Sequence, residues 1–407
     1  MCGIAGYFNL ENGNEKLLKV MNAAQAHRGP DGDGYCVDGP AGLAHLRLAI
    51  IDRAHGAQPF YSSDKSLAMI YNGEVYNYLD LRKELEATGR KFTTNSDTEV
   101  VLQAYAEWGN AAFDKLNGMF ALAIYDKSSK KLVLARDHFG IKPLYMARPG
   151  KNQLLFASEI KAILATGLIE KKPNDRVIYR YLRFRIHEDS TETFFDGITK
   201  LMPGEVLEIT ESGEKLSSYT TLKADLKRLA GENNPYNADA VAAYRQYLSG
   251  SIKMRLQSEV PVGTSFSGGL DSSTVVAAIN QLMQDHKAST KSVGSRQNTF
   301  SAIFPGSQND EEKYVDSLLE RVGSSVTAHK IKPDADTFVK DLEDFIRTQE
   351  EPLISTGPYA QYKVMQEATN HVTVLLDGQG ADETMAGYIP YYFVYLRQLK
   401  ARGEWGK

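Results

Sequence analysis

A cysteine stands at position 2, directly after the initiator methionine. Removal of Met1, usual before a small residue, leaves Cys2 with both a thiol and a free α-amine. That amine has an intrinsic pKa of about 7.7–8, against about 10.4 for lysine, so it can serve as a general base near neutral pH without burial. One residue then supplies nucleophile and base. Read alone, Cys2 is more simply a chance cysteine or a small buried apolar residue. A second chemical signal is the run Ser267-Gly268-Gly269-Leu270-Asp271-Ser272-Ser273, set between a strand-like and a helix-like segment. A glycine-rich turn there presents backbone N–H groups at a helix N-terminus, which suits pyrophosphate. It lacks the lysine of a P-loop, and its plain alternative is a glycine turn capped by serine. A third block, LLDGQGADETMAGY at 375–388, falls at the C-terminal end of a later strand, where open α/β sheets bind ligands.

These groups need elements to hold them. Residues 67–76 read as a strand entering a turn at Asn72-Gly73. Two amphipathic helices follow: one carries Leu79, Leu81, Leu85 and Ala87, and the next opens at Asp97 with Val100, Val101, Ala104 and Tyr105 at helical spacing. Residues 120–137 predict a hairpin about the polar turn 127–131, and 142–158 a second about Pro149-Gly150. Hairpins with a few helices imply a layered α+β domain. The polar stretch from about Glu208 to Asn237, with Gly231, Asn233, Asn234 and Pro235, reads as a connection. Beyond it, strands at 260–266, 299–304, 326–331 and 372–376 alternate with helices, including 309–321, where Asn309 and Glu312 form a capping pair, and 336–347. That alternation implies right-handed βαβ units and a parallel sheet.

The chain has 407 residues and a formal net charge of −4, from 47 Lys plus Arg against 51 Asp plus Glu. So even a balance leaves no global electrostatic footprint for nucleic acid. With 42% hydrophobic and 24% charged residues the composition is globular rather than disordered. No apolar run approaches the roughly 20 residues that span a bilayer, and the N-terminus lacks the pattern of a secretory signal. Only Cys2 and Cys36 are present, too few to staple a chain of this size, so a reducing compartment is expected. A soluble cytoplasmic enzyme of two or three domains is the resulting expectation.

After Cys2 come HRGPDG (27–32), AHLRLAIID (44–52), NGEVYN (72–77), SDTEV (96–100), RDHFGIKPLY (136–145) and FASEIKAIL (156–164). In order and spacing they resemble the class II glutamine amidotransferases, enzymes with an N-terminal nucleophile, over nearly all of residues 2–200. The run SGGLDSS resembles the pyrophosphatase loop of enzymes that cut ATP between its α and β phosphates. Together, over essentially the whole chain, they resemble the glutamine-hydrolysing asparagine synthetase family. The resemblance implies an α+β N-terminal nucleophile hydrolase sandwich (αββα) at 2–205, a connection at 206–236, and an α/β parallel-sheet nucleotide-binding domain at 237–407, incomplete at its C-terminus.

The same resemblance implies the sites. Arg47 would fork onto the α-carboxylate of glutamine and Asp97 pair with its ammonium, with Leu48, Ala49, Ile50, Ile51, Asn72, Gly73 and, through its backbone, Glu74 completing the glutamine site. The Cys2 thiolate would attack the side-chain amide, and the Asn72 side chain and Gly73 N–H would hold the oxyanion. ATP would bind at Phe266, Ser267, Gly268, Gly269, Leu270, Asp271, Ser272, Ser273, Ala302, Asp377 and Gly378, with Phe266 and Ala302 as backbone or packing contacts. Asp271 and Asp382 would hold Mg²⁺. The implied reaction is aspartate + glutamine + ATP → asparagine + glutamate + AMP + diphosphate, with a dry conduit carrying ammonia. Implied partners are glutamine and a carboxylate acceptor, aspartate first, with no nucleic acid and no membrane; a homodimer is the assembly read with them. Two features depart from the pattern. At the adenylate-forming position, where the family commonly reads SGEG, Gln379 cannot accept a proton. The chain also ends soon after Tyr388, and the aromatic segment 388–396 is expected to leave an apolar patch exposed. Two alternatives stay open: another carboxylate acceptor, such as a sugar acid or natural product, or a glutaminase whose ATP half is inactive.

Overall fold

The computed structural model describes residues 1–230, 232, 237–285, 287–308 and 310–404. Asn309, read above as the cap partner of Glu312, lies outside them. The chain divides into two units: Met1–Tyr236 with Ile346–Ile354, and Asn237–Phe345 with Ser355–Lys407.

Among its described residues the first unit holds twelve strands: β1 (Gly3–Phe8), β2 (Gly32–Asp38), β3 (Ala41–Arg47), β4 (Phe60–Tyr61), β5 (Leu67–Val75), β6 (Gly118–Asp126), β7 (Lys131–Arg136), β8 (Tyr145–Ala147), β9 (Leu154–Ala157), β10 (Ile198–Lys200), β11 (Glu205–Thr210) and β12 (Gly213–Ser218). They form two six-stranded sheets, β10-β8-β9-β1-β3-β2 and β12-β11-β7-β6-β5-β4. The strand period of two sorts the side chains. Ile4 and Phe8 of β1, Leu43 of β3, Ala68 and Ile70 of β5 and Ala123 of β6 share the cluster between the sheets. On the opposite face of the second sheet, Met69, Tyr71 and Leu122 meet Leu81 and Leu85 of the helix Tyr78–Ala87 and Val100 and Val101 of the helix Asp97–Trp108. On the outer face of the first, Ala5 and Tyr7 meet Leu18 and Met21 of the helix Glu15–Ala24 and Ile160 and Ile163 of the helix Ile160–Leu164. The result is an αββα sandwich. With both faces of each sheet covered, the central strands are near-continuous apolar runs instead of alternating ones. Each fully buried Leu, Ile or Phe stabilises it by about 1.5–3 kcal/mol.

Two expectations are corrected here. The strand β5 runs unbroken through Asn72 and Gly73, which stand opposite Ala121 and Phe120 of β6. Asn-Gly favours a hairpin turn, but this glycine serves close approach: a Cβ on it would lie 2.3 Å from the Met119 carbonyl oxygen. Residues 206–236 are not simply a connection. The β11–β12 hairpin extends the second sheet by pairing with β7, and the helix Leu222–Ala230 follows. Val206, Leu207 and Ile209 are buried, but β12 is an edge strand with polar, mostly exposed residues, and so it reads as loop.

The segment Ile346–Ile354 completes this unit. The Glu350 carboxylate accepts the N–H groups of Ile160 at 2.9 Å and Lys161 at 2.7 Å, and Glu351 accepts that of Phe194 at 2.8 Å.

In the second unit, β13 (Val262–Ser265), β14 (Gln297–Ala302), β15 (Val326–Ile331) and β16 (Val374–Leu376) form a parallel sheet in the order β15-β14-β13-β16. Val275 and Ile279 of the helix Leu270–Asp285 pack with Ile252, Leu256, Val262 and Leu376. A separate cluster joins Phe300 to Val364, Ala368 and Val372. The chain steps from β13 to β14 and β15, then returns to place β16 on the other side of β13. Open α/β sheets bind ligands at such a reversal, outside the C-terminal strand ends. The helix Ile389–Ala401 exposes Tyr392, Phe393, Tyr395 and Leu396. No helix among the described residues is long and apolar enough to cross a membrane.

Candidate active site

Cys2 immediately precedes β1, and the β1–β3 pairing brings it to the loop that leaves β3. Its Sγ accepts the Leu48 N–H at 3.3 Å and lies 3.5 Å from the Leu48 carbonyl oxygen. Burial pushes the thiol above its ordinary pKa; Glu74 pushes the same way, and the Leu48 N–H and Lys142 oppose it. The Met1 α-amine is drawn down to about 6, chiefly by burial.

The loop after β3 is held on both sides. Asp31 Oδ2 accepts the Ala49 N–H at 2.8 Å. Arg47 donates from its two terminal nitrogens to the carbonyls of Arg53 and Asp52, both at 2.9 Å. Each of those nitrogens keeps a second hydrogen, and Nε a third, for a ligand. Leu48, Ala49, Ile50 and Ile51 follow Arg47 directly and run along this braced loop.

Across from it, β5 carries an unusual set of donors. Tyr71 gives its N–H to Gln58 Oε1 at 2.6 Å, and Val75 gives its own to Asp97 Oδ2 at 3.0 Å. Gly73 lies between them at the same strand parity. Its opposite residue, Phe120, turns its N–H and carbonyl toward Asp137 instead. The Gly73 N–H therefore points away from β6, alongside those of Tyr71 and Val75. The Asn72 side chain is buried, and its Nδ2 has no hydrogen-bond partner among the described residues. A buried amide donor without a protein partner is free to serve a water, an ion or a ligand. Asp97 opens its helix behind the cap Ser96, and its Oδ2 also accepts the Tyr71 hydroxyl at 2.9 Å. Burial raises the Asp97 pKa against these hydrogen bonds. Glu74 is raised further, by burial and then by Asp97, and its Oε2 too has no hydrogen-bond partner among the described residues.

The two sheets are tied at this point. His45 on β3, buried, donates Nε2–H to the Tyr71 carbonyl at 3.1 Å. Burial lowers its pKa to about 3, so the ring is neutral. Sequence reasoning missed this role, the Glu74 side chain and Lys142. Lys142 stands within the quoted run RDHFGIKPLY, but nothing in a run of letters announces that a lysine is buried.

In the second unit, the loops after β13 and β16 leave neighbouring strands side by side, since Val262, Gly263 and Thr264 pair with Val374, Leu375 and Leu376. Ala302 ends the strand on the other side of β13. The loop 267–273 is self-bonded. Ser272 Oγ accepts the Ser267 N–H at 3.2 Å and sits 3.0 Å from Ser267 Oγ, and Ser267 Oγ accepts the Gly269 N–H at 3.3 Å. Phe266 is core, packed with Val276 and Val315, and its N–H goes to the Phe300 carbonyl at 2.8 Å. Gly378 crosses this loop so closely that a Cβ would sit 2.8 Å from the Ser272 nitrogen. The Leu270 side chain is exposed. Asp377 Oδ1 accepts the Gln379 N–H at 3.1 Å, and Gln379 Nε2 reaches Gln361 Oε1 at 3.4 Å. Burial, then the charges of Asp382 and Glu383, raise the Asp271 pKa.

A sandwich with an N-terminal thiol and unused amide donors, followed by a parallel sheet with a glycine loop at its reversal, defines a glutamine amidotransferase joined to a nucleotide-type domain. A family model described as glutamine amidotransferase domain matches residues 1–220, and one described as asparagine synthase matches 243–405. The chain belongs to the glutamine-hydrolysing asparagine synthetase family. It is 36% identical to asparagine synthetase [glutamine-hydrolyzing] 1 of Bacillus subtilis over 96% of this chain and 59% of that protein. It is 31% identical to putative asparagine synthetase [glutamine-hydrolyzing] 2 of Methanocaldococcus jannaschii, over 98% and 78%. Amidase chyE of Penicillium rubens is 30% identical, over 95% and 59%. The chain thus spans about three-fifths of the length of several curated relatives it matches.

Proposed function

We propose that this chain works as a glutamine-dependent, ATP-consuming amide-forming ligase, with asparagine made from aspartate as the leading reaction. The observation that carries the glutamine half is the pair of uncommitted donors on β5, the Asn72 amide and the Gly73 N–H, on the strand whose Glu74 acts on the Cys2 thiol.

With Met1 removed, the Cys2 α-amine takes the thiol proton as Sγ attacks the side-chain amide carbon of glutamine. The oxyanion accepts from Asn72 Nδ2 and the Gly73 N–H. Arg47 takes the α-carboxylate, and Asp97 with Glu74 face the ammonium. The tetrahedral adduct expels ammonia, which carries off the proton held by the α-amine. Water then opens the thioester, releasing glutamate and restoring the thiol.

A carboxylate does not condense with ammonia unaided. ATP would activate the acceptor carboxylate as an acyl-adenylate with release of diphosphate, and a bound Mg²⁺ would supply neutralising charge there. The loop 267–273 and Gly378 would cradle the phosphates, and Asp271 with Asp382 would hold the metal. The absence of a side chain at Gly378, where a Cβ would come 2.8 Å from the Ser272 nitrogen, lets the two loops meet backbone to backbone, which supports this fit. Mass spectrometry of products from glutamine, ATP and aspartate tests the reading. Asparagine, glutamate, AMP and diphosphate are expected in equal amounts, and ATP untouched in the presence of every acceptor overturns it.

A second reading differs only in the acceptor. Gln379 occupies the position where an acidic residue is common, and its amide is hydrogen-bonded to Gln361. A screen of carboxylates for glutamine-dependent diphosphate release decides between aspartate and another acid.

A further inference from the structure

Lys142 is 6% exposed, on the loop that follows β7. Its backbone is fixed: Asp137 Oδ2 accepts the Lys142 N–H at 3.0 Å, and Arg136 Nε donates to the Lys142 carbonyl at 2.8 Å. The side chain therefore cannot retreat to solvent by moving its loop. Its Nζ donates to the Met1 thioether sulfur at 3.1 Å, and no ion pair holds it among the described residues. A thioether is a weak acceptor for a buried ammonium. Loss of Met1 removes even that partner and leaves the cation facing the new N-terminal residue.

We infer that Lys142 is a positioning residue for the glutaminase centre: after Met1 is cleaved, its ammonium stands against the Cys2 α-amine and Sγ, keeping the amine unprotonated and favouring the thiolate. This rests on the reading of Cys2 as the processed nucleophile. A nearby cation disfavours a second positive charge and favours a negative one. Both effects act on the proton that must pass from Sγ to the amine at the moment of attack. Lys142 itself forms and breaks no bond.

The charges around the pair are few. Arg28 and Lys142 lower the Met1 α-amine and Asp31 raises it. Around Lys142 are Arg28, Glu74, Cys2 and Asp137. Burial, aided by Arg28, draws the Lys142 pKa down to about 8, so the group is still largely charged at neutral pH and discharges just above it.

The test is glutamate release by the purified full chain between pH 5.5 and 9.5. In Lys142→Met the acid limb of kcat/KM is expected to move up by about one pH unit, giving a loss of about tenfold at pH 6. In Lys142→Arg, which keeps its charge throughout, activity at pH 7 is retained and the decline above pH 8 is delayed. A Lys142→Met profile that superposes on the wild type overturns the inference. If Lys142→Met does not fold, Lys142→Arg decides alone: a decline above pH 8 identical to the wild type overturns it. Cys2→Ala separates the two levels. Undiminished glutamate release there sinks the reading of Cys2 itself, whereas an inert Cys2→Ala beside unshifted Lys142 profiles sinks only the role of Lys142.

Discussion

Replacing Asn72 with alanine should separate catalysis from stability. In most cores, deleting a buried amide breaks hydrogen bonds and destabilises the fold. Here the Asn72 Nδ2 is buried and makes none, so the folded state has no bond of that donor to lose. An unsatisfied buried polar group is itself unfavourable by about 1–3 kcal/mol, which offsets part of the small void that alanine leaves. Thermal unfolding should therefore shift by no more than the equivalent of about 1 kcal/mol. The transition state is different. An oxyanion-hole donor is worth about 10²–10³ in rate, or about 2.7–4 kcal/mol. The assay is steady-state glutamate release from glutamine, run beside thermal unfolding of the same preparations. The expected result is a kcat reduced at least a hundredfold, with KM for glutamine and melting temperature nearly unchanged. A variant that keeps more than a third of wild-type kcat refutes the reasoning. So does one whose lost activity follows a matching loss of stability.

Two further outcomes follow from other parts of the molecule. Gly378→Ala places a methyl group 2.8 Å from the Ser272 nitrogen, so acceptor-dependent diphosphate release should fall at least tenfold while glutamate release persists; a full-rate synthetase would show that the two loops need not touch. His45, lowered to about 3 by burial, is neutral in the fold but titrates near 6.5 when unfolded. Its contribution to stability is whole above pH 6.5 and is lost as pH falls toward 3, at about 1.4 kcal/mol per unit. Urea midpoints measured across that window should fall less steeply in His45→Gln, and equal slopes would contradict it.

Much of the molecule can be read from its residues, and the exceptions have physical causes. The hairpin β6–β7 and the helix opening at Asp97 follow from apolar spacing and the Ser96 cap, which are local properties. The course of β5 does not. Asn72-Gly73 carries a turn signal, and only the strand opposite, whose Met119 carbonyl leaves no room for a side chain, explains the glycine otherwise. The hairpin β11–β12 is hidden for the reverse reason: an exposed edge strand needs no apolar residues, so its sequence resembles a linker. At the site, Cys2 draws notice by its place beside the N-terminus, whereas Asn72 and Asp97 are singled out only through the resemblance of the motifs that carry them. Lys142 and Glu74 look like ordinary surface charges until burial is known, and His45 like a stray imidazole until its partner on the other sheet appears.

The nine residues from Ile346 to Ile354 bear on how the chain assembles as it is made. Glu350 and Glu351 supply the acceptors for three backbone N–H groups of the amidotransferase unit, at Ile160, Lys161 and Phe194. A ribosome that has finished residue 236 has delivered both sheets but not these acceptors, which emerge only after β13, β14 and β15 have been synthesised. Those three N–H groups have no such acceptors until a strap encoded more than a hundred codons downstream is made. Expressing residues 1–236 alone would accordingly give a looser body than the same residues within the full chain, with faster hydrogen exchange at the Ile160, Lys161 and Phe194 amides.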